Sequence, residues 1–120
     1  MHRKFLRSKI HHAIVTGSDI HYEGSIALDP DLMAAAGISE HEAIHVWNVN
    51  NGARFETYTI TAAAGSGEVS VNGGAARHVQ PGDELILATF CWLDEAEAAE
   101  HKPQVLLVGA DNRTFQRKAT

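Results

Sequence analysis

Two short stretches hold residue types that could do chemistry. His-Glu-Ala-Ile-His at 41–45 matches the His-Glu-x-x-His pattern of zinc hydrolases. That pattern needs a helix, where positions i and i+4 place two imidazoles on one face beside a glutamate base. Here it follows Gly37, which reads as a helix terminator, and runs into a β-branched segment from Ile44, so His45 belongs to a strand and the helical spacing is lost. No obvious third ligand follows, and no metal site is expected. The second stretch is His-Tyr-Glu-Gly-Ser at 21–25. A Gly-Ser step is ordinarily a turn without chemistry, because glycine tolerates positive φ and serine can bond its own backbone. Any other role for Gly24 and Ser25 depends on what the rest of the chain brings to them.

The elements that must position these residues are mostly strands. Segments 9–15, 44–49, 54–61, 68–71, 84–90 and 104–109 are rich in β-branched and aromatic residues and are bounded by turn formers. Asn51-Gly52 and Asn72-Gly73 lie between such runs and predict tight hairpins. Asp29-Pro30 opens a short helix as N-cap and first helical residue, with Gly37 ending it. Residues 94–103 predict a second helix, acidic at its start and stopped by Pro103. Many short strands with two brief helices in 120 residues predict one mainly β domain, a closed or nearly closed small barrel that leaves no exposed edges.

Composition narrows the partners. A net charge of −5, with no long basic run, predicts no nucleic-acid binding. No segment approaches a membrane-spanning length, and the basic opening lacks the unbroken apolar stretch of a signal peptide, so no membrane partner is expected. Cys91 stands alone and can form no intramolecular disulfide, which suits a reducing, cytoplasmic location. Asn112-Arg113-Thr114 has the form of a glycosylation acceptor, but a cytoplasmic chain never meets that machinery.

HYEGS at 21–25, HEAIHVWNVNNGARFETYTI at 41–60 and SVNGGAARHVQPGDELILATF at 70–90, in this order and spacing, resemble the small aspartate 1-decarboxylase family. The resemblance runs from about Lys9 to Asp111, nearly the whole chain. It implies a six-stranded double-psi β-barrel with short helices, assembled as a homotetramer. It also implies L-aspartate as substrate and a covalent pyruvoyl group as cofactor, for making the β-alanine of pantothenate biosynthesis. The chain is then cut by itself into 1–24 and 25–120, with a separate maturation factor as an optional partner.

By that resemblance, Ser25 Oγ attacks the carbonyl of Gly24, elimination releases Gly24 as a new C-terminus, and Ser25 becomes the pyruvoyl group. The lack of a side chain at Gly24 is expected to let the backbone adopt a strained conformation there. Thr57 matches the donor that stabilises the oxyanion of this step. The pyruvoyl ketone would hold the substrate amine as a Schiff base, providing the electron sink that no ordinary side chain offers. Tyr58 matches the proton donor, a role open to a phenol because its O–H can be donated. Lys9 and Arg54 match cations for the substrate carboxylates, and with Thr57 and the backbone of Gly73, Gly74 and Ala75 they form the implied substrate-binding set.

His11, Tyr22, Trp47, Asn72 and Ile86 match further pocket positions, Asn72 facing the cofactor. Gly74 stands where the family more often has alanine, which predicts a looser loop, and His41 and His45 also depart from the usual residues. Strand alternation puts Arg54 and Tyr58 on one face, but roughly 13 Å apart along a straight strand. The resemblance resolves this with sites at subunit interfaces. Two rival readings remain: a catalytically silent barrel in which Gly24 and Ser25 are just a turn, and a zinc hydrolase built on residues 41–45.

Overall fold

The computed structural model, which describes residues 1–119, contains nine strands and three short helical segments. The strands are β1 (Arg3–Ile14), β2 (Gly17–Asp19), β3 (Ser25–Leu28), β4 (Ala43–Asn48), β5 (Arg54–Thr61), β6 (Val69–Asn72), β7 (Glu84–Leu93), β8 (Gln104–Val108) and β9 (Phe115–Lys118). The helices are α1 (Pro30–Ala36), α2 (Glu95–Glu100) and a 3₁₀ helix at Gly73–His78.

Hydrogen bonding runs in the order β2-β6-β3-β5-β4-β7-β1-β8-β9. Only Val15 and Thr16 separate β1 from β2, so these strands act as one stave and close a ring of six with β6, β3, β5, β4 and β7. The junction is hydrogen-bonded on both sides: Val15 N–H donates to Asp83 O at 2.9 Å and Thr16 N–H to Val69 O at 2.8 Å. β2 and β6 pair in parallel, as do β3 and β5, whereas β3–β6, β4–β5, β4–β7 and β1–β7 are antiparallel. This closed, mixed ring agrees with the expected six-stranded barrel. Closure removes edges within the ring, and β8 and β9 extend it outside β1. Alternation supplies the core: Ile10, Ile26, Ile44, Val46, Val71 and Leu87 are fully buried inside.

Two expectations need correction. Asn72-Gly73 forms no hairpin. Gly73 does take positive φ (+75°), but the chain then enters the 3₁₀ helix. The second helix ends at Glu100, short of Pro103. β3 is a strand although Ser25–Leu28 shows no alternation, because it is buried on both faces between β5 and β6. The Asn51-Gly52 hairpin does form, joining β4 to β5 with Asn48 N–H donating to Ala53 O at 2.9 Å. Asn112 is no glycan acceptor: it is buried, with its amide bonded to Ile14 N–H, Ile14 O and Gly67 O.

Asp29 fixes the exit of β3 into α1. It is fully buried and accepts from the N–H groups of Asp31 (2.9 Å), Gly65 (3.1 Å) and Gly67 (2.9 Å). Burial pushes its carboxyl pKa up, but these three backbone donors and the nearby charge of Arg113 outweigh that and hold it below the ordinary carboxylate range. A lowered folded pKa means that the ionised group's stabilisation is fully present above the unfolded value of about 3.9, and is lost as pH falls through the lower folded value. Asp29→Ala is expected to cost about 2–4 kcal/mol in urea unfolding at pH 7, because it strands buried donors. Asp29→Asn should flatten the loss of stability at acid pH, as read from unfolding midpoints across that limb.

Candidate functional site

Ser25 is the first residue of β3 and is 1 % exposed. Its backbone pairs with Asn72 in the antiparallel β3–β6 ladder. Asn72 Nδ2 donates to Ser25 Oγ at 3.1 Å, and that hydroxyl donates to Glu23 O at 3.1 Å. The serine proton is therefore committed to the backbone and one lone pair to the amide. Continuing the register one residue sets Gly24 opposite Gly73, and a Cβ placed on Gly73 would stand 2.6 Å from Gly24 Cα and 2.8 Å from Gly24 N. The positive-φ glycine is Gly73. Gly24 does not adopt positive φ and has open space where a Cβ would be. Gly74 likewise has room for a methyl group, so its departure from alanine is not enforced by packing.

β5 supplies the next layer. The parallel β3–β5 register starts at Ile26–Thr59, so one step earlier Ser25 lies level with Tyr58 and Gly24 with Thr57. Tyr58 is 38 % exposed and faces outward. Thr57 is half-buried opposite the core residue Ile44, on the other face of the strand. Beside Ser25, a groove is lined by Asp19, Tyr22, Ala27, Thr61, Glu68 and Asn72 among others. Tyr22 itself is exposed. The charged residues in this lining, Asp19 and Glu68, are acidic.

The cations lie elsewhere on the outer face. His11 pairs with Ile86, Ile86 with Trp47 and Trp47 with Arg54, so these four residues form one row across β1, β7, β4 and β5. Lys9 begins the adjacent row, paired with Ala88, which pairs with His45. The Arg54 guanidinium lies 4.3 Å over the Trp47 ring, which turns it toward β4 and away from β3. His11 stacks on His12 with ring centroids 3.6 Å apart. Partial burial, with the positive charges of His12, Lys9 and Lys118, holds the His11 pKa below the ordinary imidazole value, with Glu84 opposing. One chain thus presents two groups of sequence-predicted residues: Gly24, Ser25, Asn72 and Gly73 in direct contact, and His11, Ile86, Trp47, Arg54 and Lys9 on a separate stretch of the outer surface. Ala75, in the 3₁₀ helix, is half-buried beside the first group.

The histidines of the zinc-like pattern do not converge. His41 sits in a turn at φ +69°, and His45 lies on β4 with Nε2 3.5 Å from Glu56. Glu42, the residue that would be the base, is ion-paired with Arg7 and accepts from Ser39 N–H at 3.0 Å. Sequence reasoning missed the residues that anchor the far end of the 73–83 segment. Buried Asn48 donates to His78 O (3.0 Å) and Asp83 Oδ2 (2.8 Å), and the same Asp83 oxygen accepts from Gln80 N–H (3.0 Å). A polar residue closing a strand and an aspartate after Pro-Gly were the available signals, but both also read as ordinary turn chemistry.

Comparison with known proteins gives these positions a context. Residues 1–115 match the family model described as aspartate decarboxylase. A protein of Stenotrophomonas maltophilia (strain R551-3), named aspartate 1-decarboxylase, is 56 % identical over 113 residues, covering 94 % of this chain and 90 % of the relative. A protein of the same name from Xanthomonas campestris pv. campestris (strain B100) is 54 % identical over 112 residues, covering 93 % and 89 %. The matches span every strand of the ring and the whole Gly24–Ser25–Asn72–Gly73 contact, and on this evidence the chain belongs to the aspartate decarboxylase family.

Proposed function

We propose that this chain is a carboxy-lyase converting L-aspartate to β-alanine and carbon dioxide, after self-cleavage between Gly24 and Ser25 that turns Ser25 into a pyruvoyl group. The observation that carries the proposal is the buried Ser25 hydroxyl, directly after Gly24 in the chain and held between the Asn72 amide and Glu23 O, each at 3.1 Å. In maturation, Ser25 Oγ bonds to the Gly24 carbonyl carbon, the Gly24–Ser25 C–N bond breaks, and the hydroxyl proton ends on the serine nitrogen. Loss of the serine α-proton and of Gly24 as a carboxylate leaves dehydroalanine, which water converts to the keto group with release of ammonia. Thr57, level with Gly24, is assigned to the oxyanion of the first step.

The residues present suit such a group. It would sit at the new N-terminus of β3, against the Asn72 amide and level with Tyr58. Once formed, it supplies the electron sink that decarboxylation needs. Tyr58 then delivers the proton at the α-carbon, and Arg54 and Lys9 hold the two carboxylates, Arg54 through its planar fork. The backbone of Gly73, Gly74 and Ala75 closes over the substrate, with Tyr22, His11, Trp47 and Ile86 lining the pocket.

Geometry supports a homotetramer with shared sites. Arg54 is four residues from Tyr58 and leans away from β3, whereas the groove beside Ser25 carries Asp19 and Glu68. A neighbouring copy presenting the Arg54 row to this groove supplies the missing positive charge. A cytoplasmic setting, in which Cys91 stays reduced, completes this reading. No helix among the described residues is long and apolar enough to cross a membrane.

Two experiments test this proposal. Ser25→Ala should abolish both cleavage and β-alanine formation, whereas Tyr58→Phe should still cleave but lose on the order of a hundredfold or more in kcat. Full turnover by Tyr58→Phe would remove it as the proton donor. When Ser25→Ala and Arg54→Ala chains are co-expressed, random mixing should give about a quarter of sites both native groups, restoring activity that neither variant has alone. No restoration would place both groups in one chain.

A further inference from the structure

We infer that Gly73 is a positioning residue for self-cleavage, because it braces the scissile Gly24 so that the Ser25 hydroxyl is aimed at its carbonyl. This rests on the proposed maturation at Gly24–Ser25 and adds to it a residue whose backbone, placed above against the substrate, acts before any substrate binds.

The β3–β6 ladder pairs Ser25 with Asn72, and its continuation sets Gly24 against Gly73. Two consecutive residues thus clasp the two residues that form the scissile bond. Asn72 holds the nucleophile through its side chain. Gly73 holds the electrophile through bare backbone, because an added Cβ would come within 2.6 Å of Gly24 Cα, 2.8 Å of Gly24 N and 3.3 Å of Tyr22 O. All three are backbone atoms, so the collision cannot be relieved by turning a side chain. Gly73 is also fixed in a left-handed conformation (φ +75°), which a side chain disfavours. It is buried, and the 3₁₀ helix that follows is tied at its far end by Asn48, which donates to His78 O at 3.0 Å. The brace is therefore backed by the core.

Its position matters because the attack is internal. Ser25 Oγ must reach the carbonyl carbon of the preceding residue while that carbon's bond to nitrogen breaks, and the hydroxyl proton passes to the nitrogen. No other reactant enters. The rate then depends on the orientation of Gly24 relative to Ser25, which Gly73 sets from one side. Restoring ordinary contact (3.4 Å) from 2.6 Å requires a shift of roughly 0.8 Å in the Gly24 backbone. Misplacement on that scale costs on the order of a hundredfold in rate.

Gly52 provides the control, since it shares the positive φ (+77°) but a methyl group there meets nothing within 4 Å. The experiment follows cleavage by intact mass in freshly purified wild type, Gly73→Ala and Gly52→Ala. Folding is read by near-UV circular dichroism and thermal midpoint, including Gly73→Ala in the uncleavable Ser25→Ala background. Gly52→Ala should cleave as the wild type does, and Gly73→Ala should be folded but cleave about a hundredfold more slowly. Hydroxylamine, which cuts esters, should release no 1–24 fragment from folded Gly73→Ala, placing the block before the acyl shift. Native-rate cleavage of Gly73→Ala, or its efficient cutting by hydroxylamine, would overturn the inference. Failure of the Gly73→Ala/Ser25→Ala chain to fold would also overturn it, by assigning Gly73 to the fold. If wild-type protein never cleaves, the proposed maturation falls first, and the comparison with Gly73→Ala separates the two failures.

Discussion

The pairing of Ser25 with Asn72 in a buried antiparallel ladder is the constraint on which the rest depends. It places a hydroxyl at the start of a strand with no solvent to satisfy it, so its donor and acceptor partners must come from Glu23 O and the Asn72 amide. Each backbone neighbour is then fixed as well. β3 is held on its other side by β5, α1 follows from the Asp29 cap, and Gly73 packs against Gly24. A serine in an open turn would share the same sequence but not these constraints. In the proposed function this rigidity lets an otherwise weak nucleophile find one carbonyl repeatedly.

The outer surface shows a second constraint, electrostatic rather than steric. The groove beside Ser25 is acidic, and the aromatic-backed cation Arg54 lies on the same barrel face but farther along β5. The groove and the Arg54 row thus carry opposite charge on one chain. In the proposed homotetramer, a neighbouring copy would bring the opposite charges together. The departures at His41 and His45 leave this arrangement intact, because the first lies in a turn and the second pairs with Glu56.

Much of this architecture is legible in the sequence. The β-branched runs give β4, β5, β7 and β8, and Asp29-Pro30 with Gly37 gives α1 nearly to the residue. The failures have physical causes. β3 is buried on both faces and so lacks the alternation that marks a strand, while Asn72-Gly73 supplies the positive φ of a hairpin but leads into a helical turn. Ser25 and Thr57, proposed for self-cleavage, are individually ordinary, and only motif order across the chain sets them apart. Gly73's contact with Gly24 leaves no sequence signal beyond a glycine, because it depends on two segments 49 residues apart meeting across a ladder. Asn112 shows the same limit, since it looks like a surface turn residue and is buried with its amide paired, and Asp29, legible as an N-cap, gives no sign that it also accepts from Gly67 N–H.

In the proposed function, the buried serine hydroxyl severs its own main chain to build the reactive group. The most direct measurement is the intact mass of purified wild-type protein after prolonged incubation, combined with N-terminal sequencing of the products. Two fragments are expected, 1–24 and 25–120, the larger resistant to sequencing because its terminus carries no amine. A single uncut chain that still forms β-alanine from aspartate would contradict it.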